Sequence, residues 1–522
     1  MHVLLLGPRY WLDFTPLGHT ETHLILEAYE TPLKAVLERL PAPPDCIIQI
    51  EDLGHRRFLT GLEHAPCPTL FMAFDAHLNL YWQQYYARLF DAVLTPHVSL
   101  FRSLPPGLAH PRVFRQAPAG VPLDWRPHAD RHHNCAFCGR LSPTRPLRSW
   151  MTELLLGRFN LEVRQGIPAS DVARLYADAR IVPNETIGFE VNLRLLEAAS
   201  AGAAVLSPDC GPDQTALFTD GEEFLVYNGG RDLCEKAAWL LAHPQAAEAM
   251  GQKAYERVCR EHLPEHRAAA VIDALPPLTQ ARATGRDAAV FTWLTRLERT
   301  LAGDKEHPAR KLFAQSEALP ETPEILSGML RLLGAPVRKA AALEFCNALH
   351  TEATASPILA ESRFQHPVHT FAVDATASAC AMAHGDFDLA RRFFARSVIS
   401  PGPGAATPDD PAALCLAWAN AYAAAGAAVR PGFTFRPEVG HIPACGLEFC
   451  IFARHLCPDL TARLTQAEAQ LLAPFPAYAP YRLSLLESLH KKAASLEETR
   501  ELAELLIFCC RVDEGEALLR TL

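Results

Sequence analysis

Three charged side chains near residue 190 have the types and the spacing to bind a nucleotide. Glu190, Arg194 and Glu197 occupy positions i, i+4 and i+7 of a helical pattern that follows an apolar run, so they share one helix face. A helix start favours an anion such as a diphosphate, because its first backbone N–H groups are unpaired, and Gly188 lets the backbone approach closely. A carboxylate one or two turns later accepts hydrogen bonds from ribose hydroxyls. On spacing alone, a solvated charged face is the alternative.

The segments that must position these residues alternate short apolar runs with longer helical patterns, which predicts parallel α/β sheets with crossover helices. One series of strands is predicted at residues 3–6, 46–50, 69–73 and 92–95. A second series is predicted at residues 136–138, 161–163, 179–182, 203–206 and 224–226. Two Rossmann-like units therefore follow one another, and the Pro- and Gly-rich segment 117–127 joins them.

Alanine-rich helical patterns replace the strand signal after residue 284. Residues 377–398 and 502–519 each predict a helix, a tight turn and a second helix, with small residues at the crossing. Both pairs resemble tetratricopeptide-type helical hairpins, and an irregular helical bundle is the alternative. The sequence Asp386-Phe-Asp388 falls in the first of these turns, so it is predicted to be structural and not metal-binding.

Composition and the N-terminus exclude several classes of protein. The 522 residues exceed what one hydrophobic core serves, so two or more domains are expected. A net charge of −10 gives no basic surface for nucleic acid. There is no signal-peptide pattern or transmembrane segment, and the 15 cysteines are scattered as buried thiols are, which predicts a cytoplasmic protein. The lone pair Cys135 and Cys138 lacks a second ligand pair, so no metal site is predicted.

The segment from residue 181 to residue 227 resembles the donor-binding part of group 1 glycosyltransferases, and especially the branch related to the spore-maturation protein CgeB. That branch has an Asn-containing loop, a segment Asn-x-Arg-x-x-Glu-Ala, a small residue with Gly, a strand and a later Asp-Gly-Glu-Glu. The matching residues here are Asn184, Asn192, Arg194, Glu197, Ala198, Gly202 and Asp220 to Glu223. Looser similarity extends over roughly residues 1–275.

The resemblance implies the GT-B fold, in which two Rossmann-like domains bind a nucleotide-sugar donor between them. It implies an acceptor-side domain at residues 1–125, a donor domain at 126–284 and a tetratricopeptide-like helical domain at 285–522. By resemblance, Glu197 holds the donor ribose, and Arg140 with Arg145 neutralises the departing diphosphate. The donor-binding residues implied are Gly139, Arg140, Arg145, Asn184, Gly188, Glu190, Asn192, Arg194 and Glu197. No cofactor and no metal ion are expected, because basic side chains and helix N-termini stabilise the leaving group in this fold.

One position departs from the pattern of the wider group. Many retaining members carry a Glu-x7-Glu pair, but Phe189 stands eight residues before Glu197 here, and the nearby carboxylate is Glu190. Glu190 therefore either touches the sugar or faces solvent.

An inverting transfer also needs a base beside the acceptor hydroxyl. Asp75 and His77 follow the third predicted strand, and ligands of open α/β sheets collect at the carboxyl ends of strands. His19, in the loop after the first strand, is the next candidate, and a loop or capping role is the alternative for each. The predicted function is sugar transfer from a nucleotide sugar to a protein, saccharide or lipid-linked acceptor. The alternative is a degenerate scaffold whose helical domain binds protein partners.

Overall fold

The computed structural model describes residues 1–8, 11–52, 57–275, 281–352, 367–397, 399, 407–490 and 495–522. Within these residues the chain forms two parallel sheets flanked by helices, followed by a long helical region. The fold class predicted from the sequence, two tandem Rossmann-like α/β domains and an all-α part, is confirmed.

The first α/β domain is built on a parallel sheet. Its strands are β1 (His2–Leu6), β2 (Thr20–Leu24), β3 (Glu30–Pro32), β4 (Cys46–Ile50), β5 (Phe58–Thr60), β6 (Thr69–Met72), β7 (Ala92–Thr95) and β8 (Val113–Arg115). Its helices are α1 (Leu33–Leu37), α2 (Ala76–Tyr86) and α3 (Val98–Arg102). The strand order is β2-β1-β4-β6-β7-β8, and β3 pairs with β5 in a separate ribbon. The apolar strands β1, β4, β6 and β7 are those that the sequence predicts.

Strand β2 is not predicted by the sequence, because its residues Thr-Glu-Thr-His-Leu are mostly polar and partly exposed. It follows β1 without a crossover helix and forms an edge of the sheet. The two strands pair in parallel with His2 opposite Thr20, so the residues just before β2 lie at the amino end of the sheet.

The second α/β domain has a parallel sheet in the order β10-β9-β11-β12-β13. Its strands are β9 (His133–Cys138), β10 (Glu162–Arg164), β11 (Ala179–Pro183), β12 (Ala204–Pro208) and β13 (Leu225–Tyr227). Its helices are α4 (Pro146–Phe159), α5 (Ala169–Ala177), α6 (Leu193–Ser200), α7 (Pro212–Thr215), α8 (Gly229–Ala242), α9 (Pro244–Glu261) and α10 (Pro264–Ala274). Each strand predicted here is present. The strand order reverses between β9 and β11, which is where open α/β sheets bind ligands.

Helix α10 returns to the first domain. Its Ala268 and Val271 share a buried core with Val3 and Leu5 of β1. The chain therefore crosses between the α/β domains twice, once before β9 and once before α10.

The helical region packs against both α/β domains. Its helices are α11 (Gly285–Leu301), α12 (Ala309–Ser316), α13 (Pro323–Leu332), α14 (Lys339–Glu352), α15 (Ala372–Ala383), α16 (Phe387–Arg396), α17 (Pro411–Ala424), α18 (Gly446–Leu456), α19 (Thr461–Leu472), α20 (Ala479–His490), α21 (Leu496–Phe508) and α22 (Val512–Leu519). Phe291 of α11 lies in one core with Phe71 of β6, and Val512 of α22 lies in another with Phe137 of β9.

The two predicted helix pairs are α15 with α16 and α21 with α22. Asp386 has a structural role, as predicted, because its Oδ1 accepts a hydrogen bond from the backbone N–H of Leu389 at 2.9 Å and caps α16.

The fifteen cysteines all lie in the described ranges and are unpaired. In the described part of the chain, no helix has both the length and the apolar character that crossing a membrane requires.

Candidate functional site

A cavity of about 340 Å³ lies where the carboxyl ends of the two sheets face each other, and we call it the cleft. The first domain contributes loops that follow β1, β6, β7 and β8, and the second contributes the loops after β9 and β11 together with α6. The lining residues are Trp11, Phe74, Asp75, His77, Leu78, Pro96, Pro118, Arg145, Arg148, Ile187, Glu190, Val191, Asn192, Leu193, Arg194 and Glu197. Seven of the twelve residues proposed from the sequence therefore line one cavity.

Asp75 and His77 form the first-domain wall, at the start of α2. The Asp75 carboxylate has no hydrogen bond or ion pair within the described residues, and burial raises its pKa while Arg145 opposes the rise. Burial lowers the pKa of His77 to about 3, with further lowering from His97 and Arg145. His77 is therefore a neutral, weakly basic imidazole, whereas Asp75 is a stronger base than an ordinary aspartate. Asp75 is the better proton acceptor of the two.

Glu51 holds the turn that presents Asp75. Its Oε2 accepts hydrogen bonds from the backbone N–H groups of Phe74 and Asp75 at 2.7 and 2.9 Å. Its Oε1 accepts from the side-chain amides of Asn79 and Gln83 at 2.9 and 2.7 Å. Burial raises the pKa of this carboxyl to about 7. Glu51 is not among the predicted residues, although it directly follows β4 and therefore lies, like Asp75, at the carboxyl end of a strand.

His19 is not in the cleft, and this corrects the prediction that it serves as a base. It immediately precedes β2, at the amino end of the sheet, and its Nδ1 lies 3.3 Å from the N-terminal amine of Met1. The reason is the unpredicted strand: the chain returns to the amino edge before β2 begins, so His19 lies at the edge opposite Asp75.

The loop after β11 brings Glu190 into the cleft by a route that differs from the predicted helix face. Gly188 and Phe189 both have a φ of 63°, in the left-handed region, so the chain cannot be helical there. Helix α6 begins only at Leu193. Glu190 thus lies in the loop, 7% exposed, and its Oε2 has no hydrogen-bond partner. Burial, reinforced by Glu185, raises the pKa of Glu190 well above its ordinary value, which favours the protonated form of this carboxyl.

The raised pKa of Glu190 predicts a pH-dependent stability difference. The folded state holds this proton more tightly than the unfolded state, so stability falls as pH rises from the ordinary value of 4.5 towards the folded pKa. Glu190→Gln removes this loss, and its Tm should exceed that of the wild type by a few degrees at about pH 8 and equal it at about pH 4. Thermal denaturation followed by circular dichroism measures the difference, and a variant that is less stable at both pH values would contradict the assignment.

Arg194 anchors the loops around the cleft and is not free to bind a ligand. Its Nε and Nη2 donate to the carbonyl oxygen of Cys138 at 3.2 and 3.1 Å. Its Nη1 donates to Asn184 Oδ1 at 2.9 Å and to the carbonyl oxygen of Glu185 at 3.1 Å. The guanidinium also lies 4.3 Å from the centre of the Phe137 ring. Arg194 thereby ties the end of β9 to the end of β11.

Asn184, Asn192 and Gly139 belong to the same anchor; Asn192 also lines the cleft, whereas Asn184 and Gly139, predicted as donor contacts, do not. Asn184 is buried outside the cleft and bonds to Ser207, and Asn192 caps α6 by accepting from Leu195 N–H while donating to Asn184 Oδ1 at 2.9 Å. A Cβ at Gly139 would lie 2.8 Å from Nη2 of Arg194, so glycine is needed there for packing.

The anchor role predicts a loss of stability in the absence of any ligand. Arg194→Ala removes the four hydrogen bonds that the guanidinium donates to three oxygens and should lower the free energy of unfolding by roughly 2–4 kcal/mol. Arg140 is an exposed arginine nearby, and Arg140→Ala should change the free energy of unfolding by less than about 0.5 kcal/mol. Urea denaturation of the three ligand-free proteins tests this, and equal stabilities would refute the anchor role.

Arg145 is the free cation of the cleft. It lies at the N-terminus of α4, and its guanidinium makes no hydrogen bond or ion pair with any described residue. Arg148 is instead committed, because its Nε donates to Glu185 Oε2 at 2.6 Å and both side chains are buried. Arg140 is exposed and lines neither the cleft nor the larger cavity beside it, so the structure does not place it beside Arg145 at the predicted diphosphate site.

Glu197 lies on the second turn of α6 and offers a free carboxylate to the cleft. It has no hydrogen bond or ion pair within the described residues, and burial raises its pKa while Arg194 opposes the rise. Gly188, in contrast, lines the neighbouring cavity and not the cleft.

Among the described residues, the cleft thus combines the free guanidinium of Arg145 with the free carboxyl groups of Asp75 and Glu197, at the point where the strand order of the second sheet reverses. In an α/β protein, such an arrangement can bind a ligand that carries both an anionic group and hydroxyl groups.

One family model matches part of the chain. Residues 125–273 match a family model described as glycosyl transferase-like, which covers the second α/β domain and less than a third of the chain. Comparison with curated proteins finds no sequence match.

Similar solved structures include HepE of Anabaena in complex with UDP-glucose, with 12% identity, 53% of this chain and 99% of that chain covered, and a TM-score of 0.38. They also include sucrose-phosphate synthase of Thermosynechococcus elongatus, with 12% identity, coverage of 52% and 98%, and a TM-score of 0.39. The GtfA/B complex aligns at 16% identity over 47% of this chain and 60% of that chain, less than two thirds of its length, with a TM-score of 0.36. At these TM-scores the likeness carries no argument about function.

Proposed function

We propose that this protein is a glycosyltransferase that moves a sugar from a nucleoside-diphosphate sugar to an acceptor hydroxyl. One observation carries the proposal: the cleft joins free Arg145 and free Glu197 on the second domain with free Asp75 on the first. A guanidinium suits a diphosphate, a carboxylate suits ribose hydroxyls, and a second carboxylate suits the acceptor proton. The family match on the second domain supports the same function.

In the proposed step the acceptor oxygen bonds to the anomeric carbon while the bond from that carbon to the diphosphate oxygen breaks. The departing diphosphate keeps the bonding electron pair, and Arg145 offsets its added charge. The hydroxyl proton passes to Asp75 and from there to solvent. The products are the glycosylated acceptor, the nucleoside diphosphate and one proton. Glu190 Oε2, which is buried in the cleft without a hydrogen-bond partner, contacts a hydroxyl group of the sugar.

We further propose that transfer needs no metal ion, because Arg145 and the start of α4 supply the positive charge at the leaving group. The unpaired thiols of all fifteen cysteines support a reducing compartment such as the cytoplasm.

Donor turnover by Glu197→Ala tests the proposal. Loss of the ribose contacts should raise the KM for the nucleotide sugar by about 10- to 100-fold, the worth of hydrogen bonds to a charged group. The matched control is Glu235→Ala, an exposed glutamate on α8 of the same domain, which should leave KM unchanged within about twofold. Release of free diphosphate is measured across uridine, guanosine, thymidine and cytidine donors, with and without EDTA. If no donor is turned over or bound, the α/β domains are a scaffold and the proposal fails; inhibition by EDTA would refute metal independence.

A further inference from the structure

A second cavity of about 660 Å³ lies between the second α/β domain and the helical region, and we call it the side cavity. One wall consists of the loops after β9, β11, β12 and β13. The other wall consists of residues 476–484, at the start of α20, and the turn between α21 and α22. Its volume lies within the range of sites that enclose small organic ligands.

The side cavity is lined mainly by apolar groups and aromatic rings. The rings belong to Phe189, Tyr227, Tyr478, Tyr481 and Phe508. The hydroxyl groups of two tyrosines are already bonded to the protein: Tyr227 donates to the carbonyl oxygen of Asn184 at 2.7 Å, and Tyr481 donates to Glu468 Oε1 at 2.5 Å. These side chains therefore offer their rings to an occupant, which favours an apolar, ring-bearing ligand.

The side cavity meets the cleft, so the polar end of such a ligand can extend into the cleft. Arg145 and Ile187 line both cavities, so the two spaces meet at this pair. The carboxylate of Glu185, on the same wall, is neutralised by Arg148 at 2.6 Å. Arg145 is thus the unpaired cation on the boundary, beside the place where the proposed reaction occurs.

The sequence allows the helical region to close this cavity tightly. Gly229 and Gly230 begin α8 directly beneath the turn after α21: a Cβ at Gly229 would lie 2.9 Å from the Cα of Phe508, and one at Gly230 would lie 2.6 Å from the Cα of Cys510. Arg158 adds an ion pair to Asp513 at 2.6 Å. Side chains at these two positions would push the turn away from α8, so the close contact between the two walls depends on glycine.

We infer that the side cavity holds the apolar, ring-bearing body of a small acceptor whose hydroxyl group reaches Asp75 in the cleft. This inference rests on the proposed function and specifies the class of its acceptor. The bonds that form and break are those of the transfer step given above, and the cavity contributes binding and orientation only.

Two paired measurements test the inference. The first is binding of 8-anilinonaphthalene-1-sulfonate, an aromatic anion, followed by its fluorescence without any nucleotide. The second is transfer to 2-naphthyl glucoside, compared with transfer to methyl glucoside and to n-octyl glucoside. Each is made on the wild type, on Ala477→Trp and on Ala473→Trp. Ala477 is exposed and lines the side cavity, and Ala473 is also exposed but does not line it.

The expected result is that Ala477→Trp weakens probe binding by about tenfold or more, because the indole fills the cavity, while Ala473→Trp stays within about twofold of the wild type. Transfer to the naphthyl acceptor should exceed transfer to the other two and fall in Ala477→Trp alone, with donor hydrolysis unchanged. Equal probe binding in both variants overturns the inference, as does preference for the octyl or the methyl glucoside. If no donor is turned over, the proposed function fails separately and the probe measurement alone decides whether the side cavity binds such a ligand.

Discussion

Asp75→Asn is expected to lower kcat for sugar transfer by about 10²- to 10⁴-fold while nucleotide affinity stays unchanged. The amide keeps the size of the carboxylate, and the backbone N–H of residue 75 keeps its bond to Glu51, so the turn is preserved. What is lost is the group that accepts the proton of the acceptor hydroxyl. Steady-state kinetics of diphosphate release in the presence of acceptor separates kcat from KM.

The pH profile gives this prediction a second readout. A base works only when deprotonated, so kcat/KM of the wild type should rise with pH through the raised pKa of Asp75 and then level off. Asp75→Asn should lack this rise. His19→Ala, at the opposite edge of the sheet, serves as the control and should keep kcat within about twofold. Full activity of Asp75→Asn, or an unchanged profile, would show that another group accepts the proton.

Arg145→Ala is expected to lower kcat by about 10²- to 10³-fold, the usual effect of removing one group that stabilises developing charge. The guanidinium has no partner in the described residues and lies on the cleft wall, so its charge is available to the leaving diphosphate. Arg145→Lys should recover part of the loss, because a lysine supplies the charge without the planar fork.

Arg140→Ala is the matched control for Arg145→Ala. Both arginines follow β9, but Arg140 is exposed and outside the cleft, so its removal should change kcat by less than about twofold. Comparable losses in the two variants would mean that the charge acts through the general field of the domain and not at a site.

The fold was largely predictable because its buried strands are continuous apolar runs. Strands β9, β11 and β12 are predicted from the short, mainly apolar runs Ala136-Phe-Cys138, Ala179-Arg-Ile-Val182 and Ala203-Ala-Val-Leu206. Strand β2 could not be predicted from an apolar run, because it is an edge strand whose polar side chains are partly exposed to solvent. Without β2, His19 is predicted at the carboxyl edge of the sheet, whereas it lies at the amino edge.

The site was predictable in location but not in the roles of its residues. The carboxyl-end rule found Asp75, and the segment around Glu197 identified the second wall. The spacing of residues could not show that Arg194 donates its hydrogen bonds to Cys138, Asn184 and Glu185. These partners are distant in sequence or are backbone oxygens. It also could not show that Glu190 precedes the helix, since that depends on left-handed backbone at Phe189.

Calorimetric titration of nucleoside diphosphates into the wild type, Glu197→Ala and Glu235→Ala shows whether the cleft binds a nucleotide, because it requires neither the donor sugar nor the acceptor. We expect saturable binding of one nucleotide to the wild type and to Glu235→Ala, and binding weakened by about tenfold or more in Glu197→Ala. Equal affinities for all three proteins, or no binding to any, would contradict the assignment of the cleft as a nucleotide-sugar site.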